Sequence, residues 1–207
     1  MRLPIPHTVL LLASLSVPAF AQDEPVGEPA PGRWDLCGAP PEWTLPLPPP
    51  DIGDDATRFT ADSAEMFRGG LSTLTGDVVM SRHDQTVRAD RLVFDQAAGR
   101  VEAEGNVTMV SPQLAVRGAR LDSDLDTGLG TISQTEYHVP PLHGRGEAGS
   151  IVRPDSDTML LHDTTYTTCD PGQDHWLLSA RRVKLDEPKG EGTARHVVLR
   201  FMNVPFL

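Results

Sequence analysis

The stretch Ala89-Asp90-Arg91-Leu92-Val93-Phe94, followed by Gly105-Asn106-Val107-Thr108-Met109, decides the fold of this chain. Both parts are rich in branched and apolar residues that favour strands. An earlier copy, Ala61-Asp62 and then Gly76-Asp77-Val78-Val79-Met80, precedes it with a glycine-to-glycine step of 29 residues. A strand repeat of this length is typical of units that bury their apolar face only by stacking on their neighbours.

Later copies of this strand-and-turn repeat are weaker. They begin at Gly118-Ala119-Arg120-Leu121, Ala148-Gly149-Ser150-Ile151 and Ala180-Arg181-Arg182-Val183. Turn residues such as Gln96-Ala97-Ala98-Gly99 separate the strands, and sustained helical periodicity is absent. The sequence therefore predicts an all-β fold of successive antiparallel hairpins. These could coil as a parallel β-helix, close as a barrel or form an open V-shaped double sheet.

The alternation of apolar and polar residues changes near Gly105. Val101 and Ala103 on one side, and Val107 and Met109 on the other, alternate with polar residues. Gly105 disturbs this period as a β-bulge would. The sequence leaves open which residues around it face inward.

The N-terminus is typical of a secretory signal. Arg2 precedes the apolar run 9–17, and Ala19-Phe20-Ala21 supplies small residues for cleavage after Ala21. The run is too short to cross a bilayer as a helix. We therefore predict that residues 1–21 are a signal peptide and that the mature chain is exported.

Composition separates an arm from the strand domain. Residues 22–58 are rich in proline and predict an extended N-terminal arm, and residues 59–207 carry the strand pattern. Trp34 and Trp43 fit either an arm that docks or a flexible linker. The formal net charge of -11 argues against nucleic acid as a partner, which requires a basic surface.

Two cysteines in an exported chain favour disulfide formation. Cys37 lies in the arm and Cys169 lies 132 positions later. Closing a loop of that length contributes about 4–5 kcal/mol in the chain-entropy description. The sequence leaves open whether the two pair with each other or with cysteines outside this chain. Two reduced thiols fit an oxidising compartment less well.

No arrangement of residues predicts catalysis, a metal or a cofactor. The chain lacks a nucleophile elbow and metal-ligand spacings. The adjacent pairs His83-Asp84 and His162-Asp163 are expected to face opposite sides of a strand, so neither forms an acid–base dyad. Asp122, Asp124 and Asp126 fit a simple acidic turn better than a calcium loop. We therefore expect a binding scaffold and not an enzyme.

Ten apolar residues recur at strand positions and are candidates for a lipid-binding groove. In a closed sandwich they form the core, whereas in an open double sheet they line a trough for alkyl chains. Removing one long acyl chain from water contributes several kcal/mol at roughly 25 cal/mol per Å². The ten are Leu74, Val78, Met80, Leu92, Phe94, Val101, Val107, Met109, Leu114 and Val116.

These residues resemble a known family. The Asp62…Gly76 and Asp90…Gly105 repeats are similar to the OstA-like domain of lipopolysaccharide (LPS) transport proteins. The segments 166–180 and 192–206, with Asp35-Leu36-Cys37, are similar to the N-terminal periplasmic domain of the outer-membrane LPS-assembly family. The resemblance covers the chain from about Trp34 to Leu207.

The resemblance implies an open β-jellyroll, or β-taco, at the periplasmic face of the Gram-negative outer membrane. Such a domain holds LPS acyl chains in an apolar groove and catalyses nothing. It implies LPS as ligand and a periplasmic bridge protein, LptA, joined by edge-strand addition. It also implies a lipoprotein, LptE, where a β-barrel follows, with Cys37 and Cys169 paired to two cysteines of that barrel.

The chain departs from the family pattern because it ends at Leu207, where the barrel is expected. A fragment, a gene broken at this point and a stand-alone domain are the three explanations. A stand-alone domain favours a Cys37–Cys169 disulfide and a role as a soluble bridge component. The alternative from another class is a β-helical protein that binds polysaccharide.

Overall fold

The structure is a computed structural model that describes residues 56–172, 174–202 and 204–206. The predicted signal peptide with its cleavage site at Ala21, nearly all of the predicted arm, and Cys37 lie outside the described residues. Predictions about them stay predictions.

The described residues form twelve strands in one antiparallel sheet. Strand order follows the chain, except that β1 and β2 both pair with β3. A single 3₁₀ turn, Pro140–Leu142, joins β7 to β8, and no α-helix occurs among the described residues. The strands are β1 (Thr57–Thr60), β2 (Ser63–Glu65), β3 (Leu71–Arg82), β4 (Gln85–Asp95), β5 (Arg100–Val110), β6 (Ala115–Asp124), β7 (Gly130–Val139), β8 (Gly144–Arg153), β9 (Thr158–Tyr166), β10 (Trp176–Asp186), β11 (Glu191–Phe201) and β12 (Val204–Pro205).

The hairpin turns are those that the sequence predicts. At the turn from β4 to β5, Asp95 Oδ1 accepts hydrogen bonds from the amides of Ala97 and Ala98 at 3.0 and 3.1 Å. After β6, Asp124 Oδ1 accepts the amides of Asp126 and Thr127 at 3.0 and 2.8 Å. These bonds, with that of Thr127 first, hold the pKa of Asp124 below its usual value. The acidic stretch is therefore a turn, as expected.

Five alternate strands carry a residue with left-handed backbone near their middle. These residues are separated by 28 to 33 positions and lie in β3, β5, β7, β9 and β11. Pairing registers shift at two of them, between Thr75 and Val78 and between Glu104 and Val107. A bulge of this kind bends and twists its strand. The five are Asp77, Asn106, Gln134, Asp163 and His196, with φ between 41° and 55°.

The repeated phrase is explained by contacts across this bend. Gly105 has a φ of 75°, and a Cβ added there would lie 2.4 Å from Asp90 Oδ2. Asp90 Oδ2 also accepts a hydrogen bond from Asn106 Nδ2 at 2.9 Å. Gly76 meets Asp62 in the same way, again at 2.4 Å. Each Asp of the phrase therefore packs on the glycine of the following bulge.

The intervening strands place small residues on the inner side of the bend. Ala89, Ala148 and Ala180 in β4, β8 and β10 are each 4–5% exposed. In β6 the equivalent residue is Gly118, where a Cβ would lie 2.8 Å from Ile132 Cγ1. The weak later copies of the phrase therefore mark these strands, where the folded sheet needs small side chains.

The sheet folds over on itself, so that the two halves of the strands face each other. Phe59 is paired with Met80, near one end of β3, whereas Phe94 is paired with Ser72, near the other end. The two rings nevertheless pack against each other, with centroids 5.4 Å apart. The Arg82 guanidinium at one hairpin tip donates to the Leu125 carbonyl at another. One apolar cluster fills the space from β3 to β9. The all-β open jellyroll that the sequence predicts is confirmed.

Candidate functional site

All ten candidate groove residues lie on the inner face of the folded sheet or at its rim. Phe94, Met109 and Leu114 are half-buried and pack against the apolar cluster. The other seven are 0–5% exposed and fill the N-terminal part of the interior: Leu74, Val78, Met80, Leu92, Val101, Val107 and Val116. Contact between these residues and a lipid stays a prediction.

The interior opens into a cleft of about 680 Å³ near the middle of the sheet, which we call the central cleft. Three of the candidates line it: Met109 from β5, Leu114 from the turn before β6, and Val116 from β6. The opposite wall comes from the second half of β6 and from later strands, and the sequence reasoning missed its residues. Its apolar residues are Leu121, Ile132, Ile151 and Met159.

These residues were missed because the alternation of inward and outward side chains shifts by one residue at the bend of each strand. In β6, Val116 is buried on one side of the bend and Leu121 on the other, an odd spacing that alternation alone does not predict. The same odd spacing separates the buried residues Ala148 and Ile151 in β8, and Leu161 and Thr164 in β9. The signal was present as two consecutive polar or small residues at the centre of each strand.

The rim of the central cleft is polar, in contrast to its walls. Arg153 Nη2 donates to Glu187 Oε2 at 2.8 Å and to the Ser156 carbonyl at 2.7 Å. All three residues line the cleft, and Asp84 and Gln85 line it from the tip between β3 and β4. Apolar walls below a polar and charged rim suit a molecule that has both a hydrocarbon and a hydrophilic part.

The loop between β9 and β10 holds Cys169 in a defined structure. Arg145 Nε donates to the Cys169 carbonyl, and its Nη2 donates to the Asp170 carbonyl and to Asp174 Oδ1, each at 2.6 Å. Thr167, fully buried, donates from Oγ1 to the Trp176 carbonyl at 2.7 Å and accepts the Cys169 amide at 3.1 Å. Cys169 is 6% exposed, so its position is set by β8 and the loop together.

Two buried groups in β7 have shifted pKa values. Burial raises the pKa of Tyr137, whose hydroxyl donates to the Thr165 carbonyl at 2.6 Å. Burial, with a smaller effect of His143, lowers the pKa of His138. Tyr137 reaches across Gly146, where a Cβ would lie 2.8 Å from the tyrosine hydroxyl oxygen. Both side chains pack in the interior of the folded sheet.

The prediction that His162 and Asp163 face opposite sides of their strand was wrong. Both line one shallow depression on the outer face. Asp163 has a φ of 47°, and this bulge turns two consecutive side chains to the same side.

Within the described residues no group of three or more His, Cys, Asp or Glu side chains could hold a metal ion. Nor does any helix there have the length and hydropathy to cross a membrane.

Comparison with known proteins gives sequence relatives of one kind. The chain is 33% identical over 170 residues to the LPS-assembly protein LptD of Acinetobacter baumannii, covering 80% of this chain and 21% of that protein. It is 34% identical over 182 residues to LptD of Nitrosococcus oceani, covering 84% and 24%. It is 31% identical over 212 residues to LptD of Xanthomonas euvesicatoria pv. vesicatoria, covering 99% and 25%. No family model matches the chain.

The chain is thus homologous to LptD proteins over as much as 99% of its length, which confirms the resemblance that the Asp90, Gly105 and Cys169 segments carry. It spans only about a quarter of those proteins. Among solved structures, LptH of Pseudomonas aeruginosa, an LptA-homologous periplasmic component, covers 72% of this chain at 14% identity with a TM-score of 0.30.

Proposed function

We propose that this chain takes part in LPS transport and assembly at the outer membrane, as a periplasmic domain that holds LPS acyl chains in the central cleft. The observation that carries the proposal is the homology to LPS-assembly proteins over nearly the whole chain. The apolar walls and polar rim of the cleft support it, because lipid A joins acyl chains to a charged sugar head. The proposal includes no catalytic step.

The filled N-terminal interior shapes how the ligand enters. Val101 and Val107 are fully buried, so a lipid reaches them only if the two halves of the sheet move apart. Met109, Leu114 and Met159 are half-buried and line the central cleft as the sheet stands. We therefore place first contact with the acyl chains at these three residues.

Site-specific photo-crosslinking tests this placement. A photoreactive amino acid is introduced at Leu114 or Met159 in the full chain, which is then irradiated with purified LPS. Both positions are expected to give LPS adducts. The matched control is Glu136, an exposed residue of β7. Equal labelling at Glu136, or none at the two cleft positions, would contradict the proposal.

The proposed partner is a periplasmic bridge protein of the LptA kind, joined by edge-strand addition. Both ends of the sheet support this. Among the described residues, β1 and β2 leave one edge, and β11 pairs beyond β10 only with β12, at Arg200 and Phe201. A photoreactive residue at Thr57 or Thr193 is expected to capture the bridge protein from one of the two edges. Capture at neither would exclude edge addition.

The state of Cys169 belongs to the same proposal. Its burial and the Arg145 contacts support a structural disulfide rather than a reactive thiol. We propose a disulfide with Cys37 where the chain acts alone, and disulfides of both cysteines to a following barrel where one is present, together with LptE. Mass spectrometry of a non-reduced digest of the native protein distinguishes the two pairings, and recovery of Cys169 as a thiol would contradict both.

A further inference from the structure

One row of directly paired residues crosses the sheet beside the bend. Its members face away from the core, since those from β4 to β10 each neighbour an inward-facing apolar residue in the chain, such as Ala103, Leu121 or Leu161. Arg195 in β11 is directly paired with Arg182 of that row. From β4 to β11 the row consists of Arg91, Glu104, Arg120, Ser133, Ser150, His162, Arg182 and Arg195.

At its N-terminal end the row alternates in charge. Glu104 lies between Arg91, at 3.6 Å, and Arg120, which it contacts directly. Arg120 also pairs with Glu102 at 2.7 Å and Asp122 at 2.9 Å, and the hydrogen bond to Asp122 is the main cause of its raised pKa. Every arginine there has a carboxylate as its cross-strand neighbour.

At its C-terminal end the row has no carboxylate. Arg182 is directly opposite Arg195 in β11 and His162 in β9. Like charges directly opposite each other destabilise a sheet. The protein as a whole carries a net charge of -11, so a concentration of cations here does not follow from its composition.

The bulges turn two further polar side chains, those of Asp163 and His196, toward the same place. Asp163 and His196 both have left-handed backbone, so two consecutive residues of β9 and of β11 turn outward. Together with β10 they enclose a depression of about 540 Å³. We call it the arginine depression, and it is lined by His162, Asp163, Arg181, Arg182, Arg195 and His196. Within the described part of the chain, Arg181, Arg182 and Arg195 make no ion pair.

We propose that the arginine depression binds an anion of the phosphate class, with Arg181, Arg182 and Arg195 as its donors. A phosphate would take the place in the row that Glu104 holds at the other end, because it accepts bidentate hydrogen bonds from the planar guanidinium fork. Asp163 is the one acid in the lining and opposes binding. The depression lies on the outer face, so this inference does not rest on the proposed acyl-chain cleft.

The test follows the arginine Nε–H signals by NMR in the full chain during titration with inorganic pyrophosphate at about 0.15 M salt, where long-range surface electrostatics are screened. The double variant Arg182→Gln/Arg195→Gln is expected to weaken binding about tenfold, since it removes two exposed contacts between a cation and the anion. Arg91→Gln, in the same row but paired with Glu104, is the matched control and should leave binding unchanged. Asp163→Asn should strengthen binding.

A second arm identifies the source of the phosphate. Sedimentation with vesicles of phosphatidylcholine alone, or with added phosphatidylglycerol, is compared for the same variants. Pyrophosphate binding that the double variant loses supports a soluble phosphorylated ligand. Vesicle binding that requires phosphatidylglycerol and is lost in the double variant supports a lipid headgroup. Binding of neither, or binding retained in the double variant, overturns the proposal.

Stability without ligand gives an independent check. Replacing Arg182 by Gln removes a like-charge opposition, so the thermal midpoint of the ligand-free chain should stay the same or rise. A clear fall in the midpoint would mean that the arginines are held by the protein itself, which also overturns the proposal.

Discussion

Gly105 shows at the scale of one residue why the repeat is built as it is. Its φ of 75° favours glycine, and Asp90 Oδ2 occupies the space where a Cβ would stand. Asp90 cannot retreat freely because it also holds Asn106. We expect Gly105→Ala to lower the free energy of unfolding by about 2–4 kcal/mol, from left-handed strain of 1–2 kcal/mol and a steric term of similar size.

A second glycine separates these two contributions. Gly128 has a similar φ of 70°, but nothing lies within 4 Å of the position of its Cβ. Gly128→Ala should therefore lose only the conformational part, about 1–2 kcal/mol. Urea unfolding of both variants makes the comparison. Equal losses would show that the Asp90 contact adds nothing.

Tyr137 gives a pH-dependent prediction. Burial raises its pKa in the folded state, so the folded protein binds this proton more tightly than the unfolded chain. The contribution to stability is therefore complete below about pH 10 and is lost as the pH rises further. We expect Tyr137→Phe to flatten the alkaline fall in the free energy of unfolding.

Thermal unfolding from about pH 9 to 11 measures this effect around the ordinary tyrosine pKa. Burial also raises the pKa of Tyr166, so part of the alkaline fall should remain in Tyr137→Phe and become smaller when Tyr166→Phe is added. An unchanged slope in the double variant would contradict the assignment.

Single residues also explain how far the repeat could be read from the sequence. The bulge at Gly105 was predicted because glycine marks it. In β7, β9 and β11 the same left-handed position is taken by Gln134, Asp163 and His196, which carry no such mark. Local contacts in the folded sheet stabilise these conformations, and a single sequence does not display those contacts.

At the scale of elements, the β9–β10 loop depends on a side chain from β8. Arg145 bonds the backbone of Cys169 and Asp170 across 24 and 25 positions of sequence. Arg145→Lys keeps the charge but loses the planar fork that reaches three acceptors. We expect the Cys169 amide to exchange its hydrogen about tenfold faster, as expected when a charge-assisted contact worth over 1 kcal/mol is lost from a loop.

Hydrogen exchange followed by NMR measures this change. Arg153→Lys is the matched control, because Arg153 holds only Ser156 and Glu187 at the central cleft. It should leave the Cys169 amide unchanged. Equal acceleration in both variants would mean that the loop responds to general loss of stability rather than to Arg145.

Hairpins could be predicted from the sequence. Which half of each strand packs against which other half, after the sheet folds over, could not. Turn residues such as Gln96 to Gly99 are local signals and were confirmed. The wall of the central cleft formed by Ile132, Ile151 and Met159 depends on which half-strands meet after the sheet bends. Which half-strands meet depends on the one-residue shift in side-chain alternation at each bulge and on packing between distant strands.

At the scale of the whole molecule, burial declines from one end of the sheet to the other. Leu92, Val101 and Val107 near the N-terminal end are fully buried, whereas in β11 no side chain is fully buried and most are exposed. Each strand from β4 to β10 pairs with its two neighbours in the chain, so the last hairpin can open without disturbing the first. The free energy of local opening should fall along the sheet in the same direction.

Leu92→Ala tests this gradient. The substitution creates a cavity in the best-packed region and should cost about 2–5 kcal/mol. Hydrogen exchange by mass spectrometry should then be faster in β4 and β5, which open only with the whole domain. Exchange in β11 should stay the same, because it already proceeds by local opening. Leu142→Ala, at a residue 65% exposed, is the control and should change neither. Acceleration of β11 to the same extent as β4 would show that the sheet unfolds as one cooperative unit, since a one-dimensional stack transmits a lesion only through successive interfaces.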